Sequence, residues 1–255
     1  MIALNHKDYG SGPPIIILHG LFGMLDNWQT IARSLSEQYS VYLLDLRNHG
    51  KSPHTSEMSY PLMATDVQQF METNWIYEAI VIGHSMGGKV AMQLAFDYPD
   101  FVKKLIVIDI APKTYKGGHE NVFAALATID LANVTNREQV EQSLTQNLPN
   151  DTGTVQFLLK NLTRTPEGTF DWKMNLPILR NNYPQLMATV TGEPFNKDTL
   201  FIKGGDSHYI QKEDEEHIKS LFPKAQFVTI EEAGHWVHAD KPKELINKVF
   251  KFINK

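Results

Sequence analysis

The sequence predicts an α/β protein with a mostly parallel, doubly wound β-sheet and an inserted helical segment. Three observations lead to this class: short apolar runs, amphipathic segments between them, and one long break in the alternation. The predicted strands are IIIL (15–18), VYLL (41–44), AIVI (79–82) and LIVI (105–108), followed later by TLFIKGG (199–205) and QFVTI (226–230). Because the first four runs are apolar throughout instead of alternating, they are typical of parallel strands covered on both faces.

Amphipathic helices are predicted between and after these strands. One opens at Tyr60-Pro61, where proline suits the first helical turn. A second helix follows Ser85, and a third closes the chain. Each carries its apolar side chains on one face, as a helix that packs on a sheet requires. These apolar positions are Met63, Val67, Phe70 and Met71 in the first helix, Val90, Ala91, Leu94 and Ala95 in the second, and Leu245, Ile246, Val249, Phe250 and Ile253 in the third.

Residues 112–195 interrupt the alternation of strands and helices. No strong strand is predicted there, whereas HENVFAALATIDL, REQVEQSLTQNL and TVQFLLKNL are typical of helices. The strand pattern resumes at Thr199. We therefore predict a core of residues 1–111 and 196–255, with residues 112–195 forming a helical cap between two strands of the same sheet.

The composition argues against several classes of function. The formal net charge of −5 disfavours nucleic acid or an anionic membrane surface as a partner. The absence of cysteine excludes disulfides, cysteine nucleophiles and cysteine-ligated metal sites. The N-terminal segment has no signal-peptide pattern, and no apolar run approaches the roughly 18 residues of a membrane span. We expect a cytoplasmic protein.

The segment IVIGHSMGGKVAMQLA (80–95) joins a predicted strand to a predicted helix and permits two interpretations. Gly83, Gly88 and Lys89 match the first part of a phosphate-binding P-loop, but that motif needs Ser or Thr next, and Val90 stands there. The sequence GHSMG matches a nucleophile elbow, in which a strained turn between small residues exposes a serine. We therefore predict Ser85 as a nucleophile, against the simpler alternative of a helix-capping serine.

A general base is predicted in the loop after the last strand. His235 lies in EEAGHWVH, and the carboxyl ends of parallel strands meet at one edge of the sheet, where Ser85 is also expected. A histidine bonded only within its own loop is the alternative. His238 lies three residues further on, but no third ligand has a suitable spacing. No metal site and no cofactor are expected.

An oxyanion hole is predicted from the loop after the first strand. His19-Gly20 follow IIIL directly, so the backbone N–H of Leu21 can lie opposite the N–H of Met86. Two backbone donors that face a developing negative charge are typical of acyl-transfer enzymes. Phe22 and Trp236 are adjacent to these predicted site loops, and we expect them to line an apolar substrate pocket.

Several motifs, taken in order, resemble one known family. HGLFG, DNW, DLRNHGKS, IGHSMGGK, IDIAP, VQFLLKNL, GGDS and AGHWVHADKP together are similar to small bacterial esterases of the YbfF type in the α/β-hydrolase superfamily, and to animal abhydrolase-domain proteins. The resemblance extends from about Ile15 to Pro242. It implies a serine hydrolase that acts on short acyl esters or acyl thioesters without a cofactor.

Two aspartates fit the acid of the implied triad, which follows the order Ser, acid, His along the chain in this fold. Asp206 follows a strand and precedes His235, the common arrangement in the superfamily, whereas Asp109 ends the strand before IAP. In YbfF-type proteins the GGDS position often carries asparagine, and the aspartate of IDIAP is the acid. The resemblance therefore favours Asp109, with Asp206 as the alternative.

The predicted function is a carboxylesterase with a small acyl ester or thioester as substrate. An acyl thioesterase or a carbon–carbon bond hydrolase would use the same triad on another bond. A ligand receptor with a vestigial triad is the non-enzymatic alternative, because one fold supports unrelated functions.

Overall fold

The computed structural model describes residues 2–255, which form a seven-stranded sheet and a separate two-stranded hairpin. The strand order in the sheet is β1-β3-β2-β4-β5-β8-β9. All neighbouring pairs are parallel except β1 and β3. The strands are β1 (His6–Tyr9), β2 (Pro14–Leu18), β3 (Ser40–Leu44), β4 (Ala79–His84), β5 (Val102–Ile108), β6 (Leu162–Arg164), β7 (Phe170–Trp172), β8 (Thr199–Gly204) and β9 (Ala225–Ile230). The prediction of a mostly parallel α/β sheet is confirmed.

Helices cover both faces of the sheet, which explains why its central strands are apolar at every position. In β2, Ile15 and Ile17 pack against α1 and α11, and Ile16 and Leu18 face the side of α2 and α3. The helices are α1 (Gln29–Leu35), α2 (Tyr60–Thr73), α3 (Met86–Asp97), α4 (Glu120–Ala127), α5 (Arg137–Asn147), α6 (Thr152–Leu159), α7 (Leu176–Asn181), α8 (Tyr183–Met187), α9 (Asp214–Leu221), α10 (Val237–Asp240) and α11 (Pro242–Ile253). Among residues 2–255, none of the helices has the length and apolarity of a membrane span.

The chain between β5 and β8 leaves the sheet and returns to the adjacent position. These two strands pair directly, with Leu105 opposite Thr199. Between them lie α4 to α8 and the antiparallel hairpin of β6 and β7. The hairpin departs from the expectation of a purely helical segment. Each of its strands has only three residues, too few for a period-two pattern to stand out in the sequence.

A buried lysine ties both ends of this inserted segment to the helix that follows Ser85. Lys89, in α3, is 1% exposed, and its Nζ donates hydrogen bonds to the backbone oxygens of Lys113 at 2.8 Å and Ala188 at 2.5 Å. A longer contact of 3.4 Å reaches the oxygen of Met187. Three acceptors use the three N–H bonds of an ammonium group. Burial lowers the pKa of Lys89 to about 7.

Candidate active site

The turn between β4 and α3 holds Ser85 in a strained conformation. Its φ of 53° and ψ of −121° are rare for a residue with a side chain. The turn is possible because the neighbouring backbone is bare: a Cβ on Gly83 would lie 2.2 Å from the oxygen of Gly87. The N–H of Ser85 also donates to the oxygen of Ile108 in β5, at 3.0 Å. The elbow is therefore fixed to the sheet on one side and to a helix N-terminus on the other.

Three predicted site residues form one continuous series of hydrogen bonds. Nε2 of His235 lies 2.9 Å from Oγ of Ser85, and Nδ1 lies 2.7 Å from Oδ2 of Asp109. A carboxylate can only accept, so the Nδ1 atom carries the proton and Nε2 is free to accept from the serine hydroxyl. This arrangement gives the serine an adjacent base, and it gives the base an adjacent acid.

Asp109 is fully buried and has several donors. It follows β5 with a positive φ of 52°, and its Oδ1 accepts from the N–H of Gly204 at 3.1 Å. Its Oδ2 accepts from the hydroxyl of Ser207 as well as from His235. A buried charge is tolerated only when it is paired and hydrogen-bonded, and these contacts provide that environment.

Asp206, the alternative acid, lies elsewhere. Its side chain is exposed, and its own N–H donates to the oxygen of Ala233 at 3.0 Å. Among the described residues, no hydrogen bond or ion pair joins its carboxylate to His235. The structure brings Asp109, and not Asp206, to the histidine.

Leu21 and Met86, whose N–H groups are the predicted oxyanion donors, line the same space as Ser85. Within residues 2–255 neither N–H donates to a protein acceptor, and Met86 is the first residue of α3, where helical N–H groups have no internal partner. The loop approaches Ser85 closely because residue 20 is glycine. A Cβ at this position would lie only 3.2 Å from Cβ of Ser85. Phe22, next in the loop, has a φ of 59°.

A cleft of about 390 Å³ opens in front of Ser85 and His235. Phe22 and Trp236, the two predicted pocket residues, both line it. The inserted segment contributes the other wall, and the rings of Phe157 and Trp236 lie 5.2 Å apart. The apolar residues from this segment are Val122, Phe157 and Leu158. The cleft is therefore bounded by both parts of the chain.

Three residues make contacts around the proposed base and the Leu21 loop that the sequence did not predict. The ring of Tyr209 stacks on that of His235, with centroids 3.9 Å apart. Nε2 of His84 lies 2.8 Å from the backbone oxygen of His235. Asn161, which is fully buried in the inserted segment, donates from Nδ2 to the oxygen of Phe22 at 2.7 Å. All three contacts join distant parts of the chain, so no local pattern reveals them.

The other histidines near the site are uncharged at neutral pH. Burial lowers the pKa of His19 to about 4, and burial together with the nearby His235 lowers the pKa of His84 well below its usual value. His19 accepts from the N–H of Leu46 at Nε2, so its Nδ1 carries the proton and donates to the oxygen of Gly20. The neutral rings of His19 and His84 therefore serve as hydrogen-bonding groups that connect neighbouring backbone segments. In the described part of the chain, no three His, Asp or Glu side chains form a group suited to a metal ion.

Comparisons with known proteins agree with this architecture. Esterase YbfF of Escherichia coli is 37% identical over 253 residues, which cover 99% of this chain and 97% of that protein. An sn-1-specific diacylglycerol lipase of Mus musculus is 37% identical over 249 residues, which cover 94% of this chain and 81% of that protein. A solved marine microorganism esterase is 42% identical and superposes with a TM-score of 0.97, covering 99% of this chain and all of that one.

The alpha/beta hydrolase fold family matches residues 13–242, which is most of the chain. This match agrees with the parallel sheet, the turn at Ser85 and the inserted segment between β5 and β8. The protein therefore belongs to the alpha/beta hydrolase fold family.

Proposed function

We propose that this protein is a serine carboxylesterase that hydrolyses small acyl esters through an acyl-enzyme intermediate. One observation carries the proposal: Ser85, His235 and Asp109 form an unbroken hydrogen-bond series that faces a cleft. The names of the Escherichia coli and marine relatives support ester hydrolysis. We assign Ser85 as nucleophile, His235 as general base and Asp109 as the acid of the triad.

In the acylation step, Oγ of Ser85 bonds to the ester carbonyl carbon and its proton passes to Nε2 of His235. The carbonyl oxygen becomes negative and accepts hydrogen bonds from the N–H groups of Leu21 and Met86, which we assign as the oxyanion hole. The bond to the leaving oxygen then breaks, and His235 gives its proton to that oxygen. Asp109 stabilises the imidazolium that exists between these two transfers.

In the deacylation step, water takes the place of the departed alcohol. His235 accepts a proton from the water while the water oxygen bonds to the acyl carbon. The bond from that carbon to Oγ of Ser85 then breaks, and the proton returns to Oγ. The products are one carboxylic acid and one alcohol, and the enzyme is regenerated without a cofactor.

We further propose that residues 112–195 are the cap of this site and control which substrates enter. Leu158 and Phe157 support this role because they line the cleft opposite the core residues. A thioester could pass through the same steps, since only the leaving atom differs. The names of the relatives favour an oxygen ester. A cytoplasmic location stays a prediction, which cell fractionation would check.

A covalent probe tests the assignment of Ser85 directly. An alkyl fluorophosphonate forms a stable bond with an activated serine, so we expect one adduct on the Ser85 peptide by mass spectrometry. Ser85→Ala is expected to lose the adduct and at least about 10³-fold of kcat for p-nitrophenyl acetate. Ser220→Ala, an exposed serine on α9, is the control and should behave like the wild type. Substantial hydrolysis by pure, folded Ser85→Ala would refute the proposal.

A further inference from the structure

Two separate spaces meet at Ser85. The first is the cleft of about 390 Å³ described above. The second, which we call the inner compartment, has a volume of about 20 Å³. Four residues line both spaces: Leu21, Ser85, His119 and Tyr209. The other walls of the inner compartment include Tyr60, Lys89, Ile110, Tyr115, Leu186 and Met187.

The proposed chemistry determines which part of an ester each space receives. The leaving oxygen must take its proton from His235, and His235 lines the cleft but not the inner compartment. Met86, a proposed oxyanion donor, lines the inner compartment but not the cleft. The leaving group therefore belongs in the cleft. The acyl substituent, which must avoid the histidine, belongs on the other side of Ser85.

The inner compartment is small enough to discriminate among acyl groups. It has only about one-twentieth of the volume of the cleft, about 20 Å³ against about 390 Å³, so it accommodates a much smaller substituent than the cleft does. In a bound acetyl ester only the methyl group needs the compartment, because the carbonyl carbon lies at Ser85 and its oxygen faces the two N–H groups. A longer chain would have to displace the walls.

Hydrogen bonds cross-link those walls and resist expansion. The hydroxyl of Tyr60 donates to the oxygen of Leu186 at 2.6 Å, and that of Tyr115 donates to the oxygen of Tyr209 at 2.7 Å. Lys89 lies between them, with Nζ 5.5 Å from the ring of Tyr60 and 4.8 Å from that of Tyr115. The contacts of Lys89 with the ends of the inserted segment close the remaining side. Well-packed walls of this kind penalise each added methylene.

We propose that the inner compartment is the acyl-binding subsite and that the cleft receives the leaving group, which makes acetate esters of bulky, mainly apolar alcohols the preferred substrates. This inference rests on the proposed esterase function and extends it to a substrate class. It assigns acyl selectivity to Leu186 and Met187 at the end of the inserted segment. It assigns leaving-group selectivity to Val122, Phe157 and Leu158.

Two substrate series and a matched pair of variants test this inference. The first series is p-nitrophenyl acetate, butyrate and octanoate, and the second is acetate esters of ethanol, phenol and 1-naphthol. The wild type should prefer acetate to butyrate by about tenfold or more in kcat/KM, since one methylene alone can shift selectivity that far. Leu186→Ala should raise the butyrate-to-acetate ratio about tenfold and leave the alcohol preference unchanged.

Leu158→Ala is the control, because it removes the same number of atoms from a side chain that is equally buried but lines only the cleft. It should alter the preference among alcohols and leave the acyl ratio unchanged. Should either leucine variant fail to fold, Met187→Ala and Val122→Ala form a second pair at half-buried positions of the compartment and the cleft. Circular dichroism would establish folding before any kinetic comparison.

The outcomes separate this inference from the esterase function itself. A wild type that prefers butyrate or octanoate, or a Leu158→Ala enzyme whose acyl ratio changes as much as that of Leu186→Ala, would overturn the subsite assignment alone. A wild type that hydrolyses no ester and forms no phosphonate adduct would overturn the esterase function, and the inference with it.

Discussion

The hydroxyl of Ser207 donates a hydrogen bond to Oδ2 of Asp109, the same oxygen that accepts from His235. Ser207 immediately follows Asp206, the alternative acid, and the N–H of Gly204, the last residue of β8, donates to the other oxygen of Asp109. The end of β8 and the loop after it therefore hold the carboxylate that follows β5, and the carboxylate of Asp206 in that loop does not contact His235.

The first prediction compares the two aspartates. Asp109→Asn keeps the size of the side chain but removes the charge that we propose stabilises the imidazolium of His235, so kcat should fall by about 10⁴, as in comparable triads. Asp206→Asn changes only an exposed side chain and should stay within about tenfold of the wild type. Steady-state hydrolysis of p-nitrophenyl acetate measures both. A large loss of kcat in Asp206→Asn, together with a nearly normal kcat in Asp109→Asn, would reverse the assignment.

The second prediction concerns Ser207. Ser207→Ala removes one donor from a buried carboxylate, and hydrogen bonds to charged groups contribute about 1.5–3 kcal/mol. We expect kcat to fall roughly 10- to 100-fold with little change in KM, because the serine contacts the proposed acid, Asp109, and does not line the cleft. Ser207→Thr keeps the hydroxyl and should restore most of the activity. Equal losses in both variants would indicate that the hydrogen bond is not the cause.

The third prediction concerns Asn161, whose amide holds the oxygen of Phe22 beside the proposed oxyanion donor Leu21. Asn161→Leu has a similar size but no donor, so the loop loses its anchor and kcat should fall about tenfold or more. Asn147→Leu is the control, since this asparagine is exposed on α5. Kinetics that are unchanged in a folded Asn161→Leu enzyme would show that the loop keeps its shape without the amide.

The fourth prediction concerns stability in acid. Burial lowers the pKa of His19 to about 4, and burial with help from His19 lowers that of His49 to about 3. In the unfolded chain these histidines have the ordinary pKa of about 6.5. Below that pH the unfolded chain therefore binds protons that the folded protein does not bind. The free energy of unfolding should therefore decrease as the pH falls from 6.5 towards 4, on the order of 3 kcal/mol for each buried histidine.

Urea denaturation at pH 7, 5.5 and 4.5 would measure this loss. His49→Asn removes the titration but retains a donor for the oxygen of Arg47, which His49 now contacts at 3.0 Å. The slope of its unfolding free energy against pH should correspond to the uptake of up to one proton fewer on unfolding than in the wild type. A variant with the same slope as the wild type would exclude His49 as a source of acid sensitivity.

The fifth prediction concerns metal removal. The proposed reaction uses only side chains and backbone N–H groups of this chain, so prolonged dialysis against EDTA should leave kcat unchanged. Activity that is lost on dialysis and returns with a divalent cation would contradict the cofactor-free mechanism.

The parallel strands were predictable because a strand covered on both faces is apolar at every position. The edge strand β1 escaped prediction for the opposite reason. Its four residues, HKDY, are mostly exposed and therefore carry no apolar pattern. Its pairing with β3, with His6 opposite Leu44, depends on backbone groups that any residue provides.

The proposed site was predictable where local backbone demands special residues. Ser85 stands between glycines because the turn leaves no room for a Cβ. The partners of the site residues were not predictable in this way, since Asn161 and Phe22 are 139 positions apart. The same limit applies to a buried ion pair outside the site. Arg47 pairs with Asp66 at 2.6 Å, and no local sequence pattern indicates which carboxylate it contacts.

The contacts of Lys89 have a consequence for divergence within the family. Both ends of the inserted segment are held by backbone oxygens, those of Lys113 and Ala188, and a backbone oxygen is the same whatever side chain it accompanies. These two hydrogen bonds therefore place no constraint on the identity of the residues between Lys113 and Ala188. A segment of different length and composition could be inserted between Lys113 and Ala188 and still be held next to α3 by Lys89. Because we propose that this segment controls which substrates enter, its exchange is expected to alter specificity while the sheet stays as it is, provided that the contact of Asn161 with Phe22 is kept.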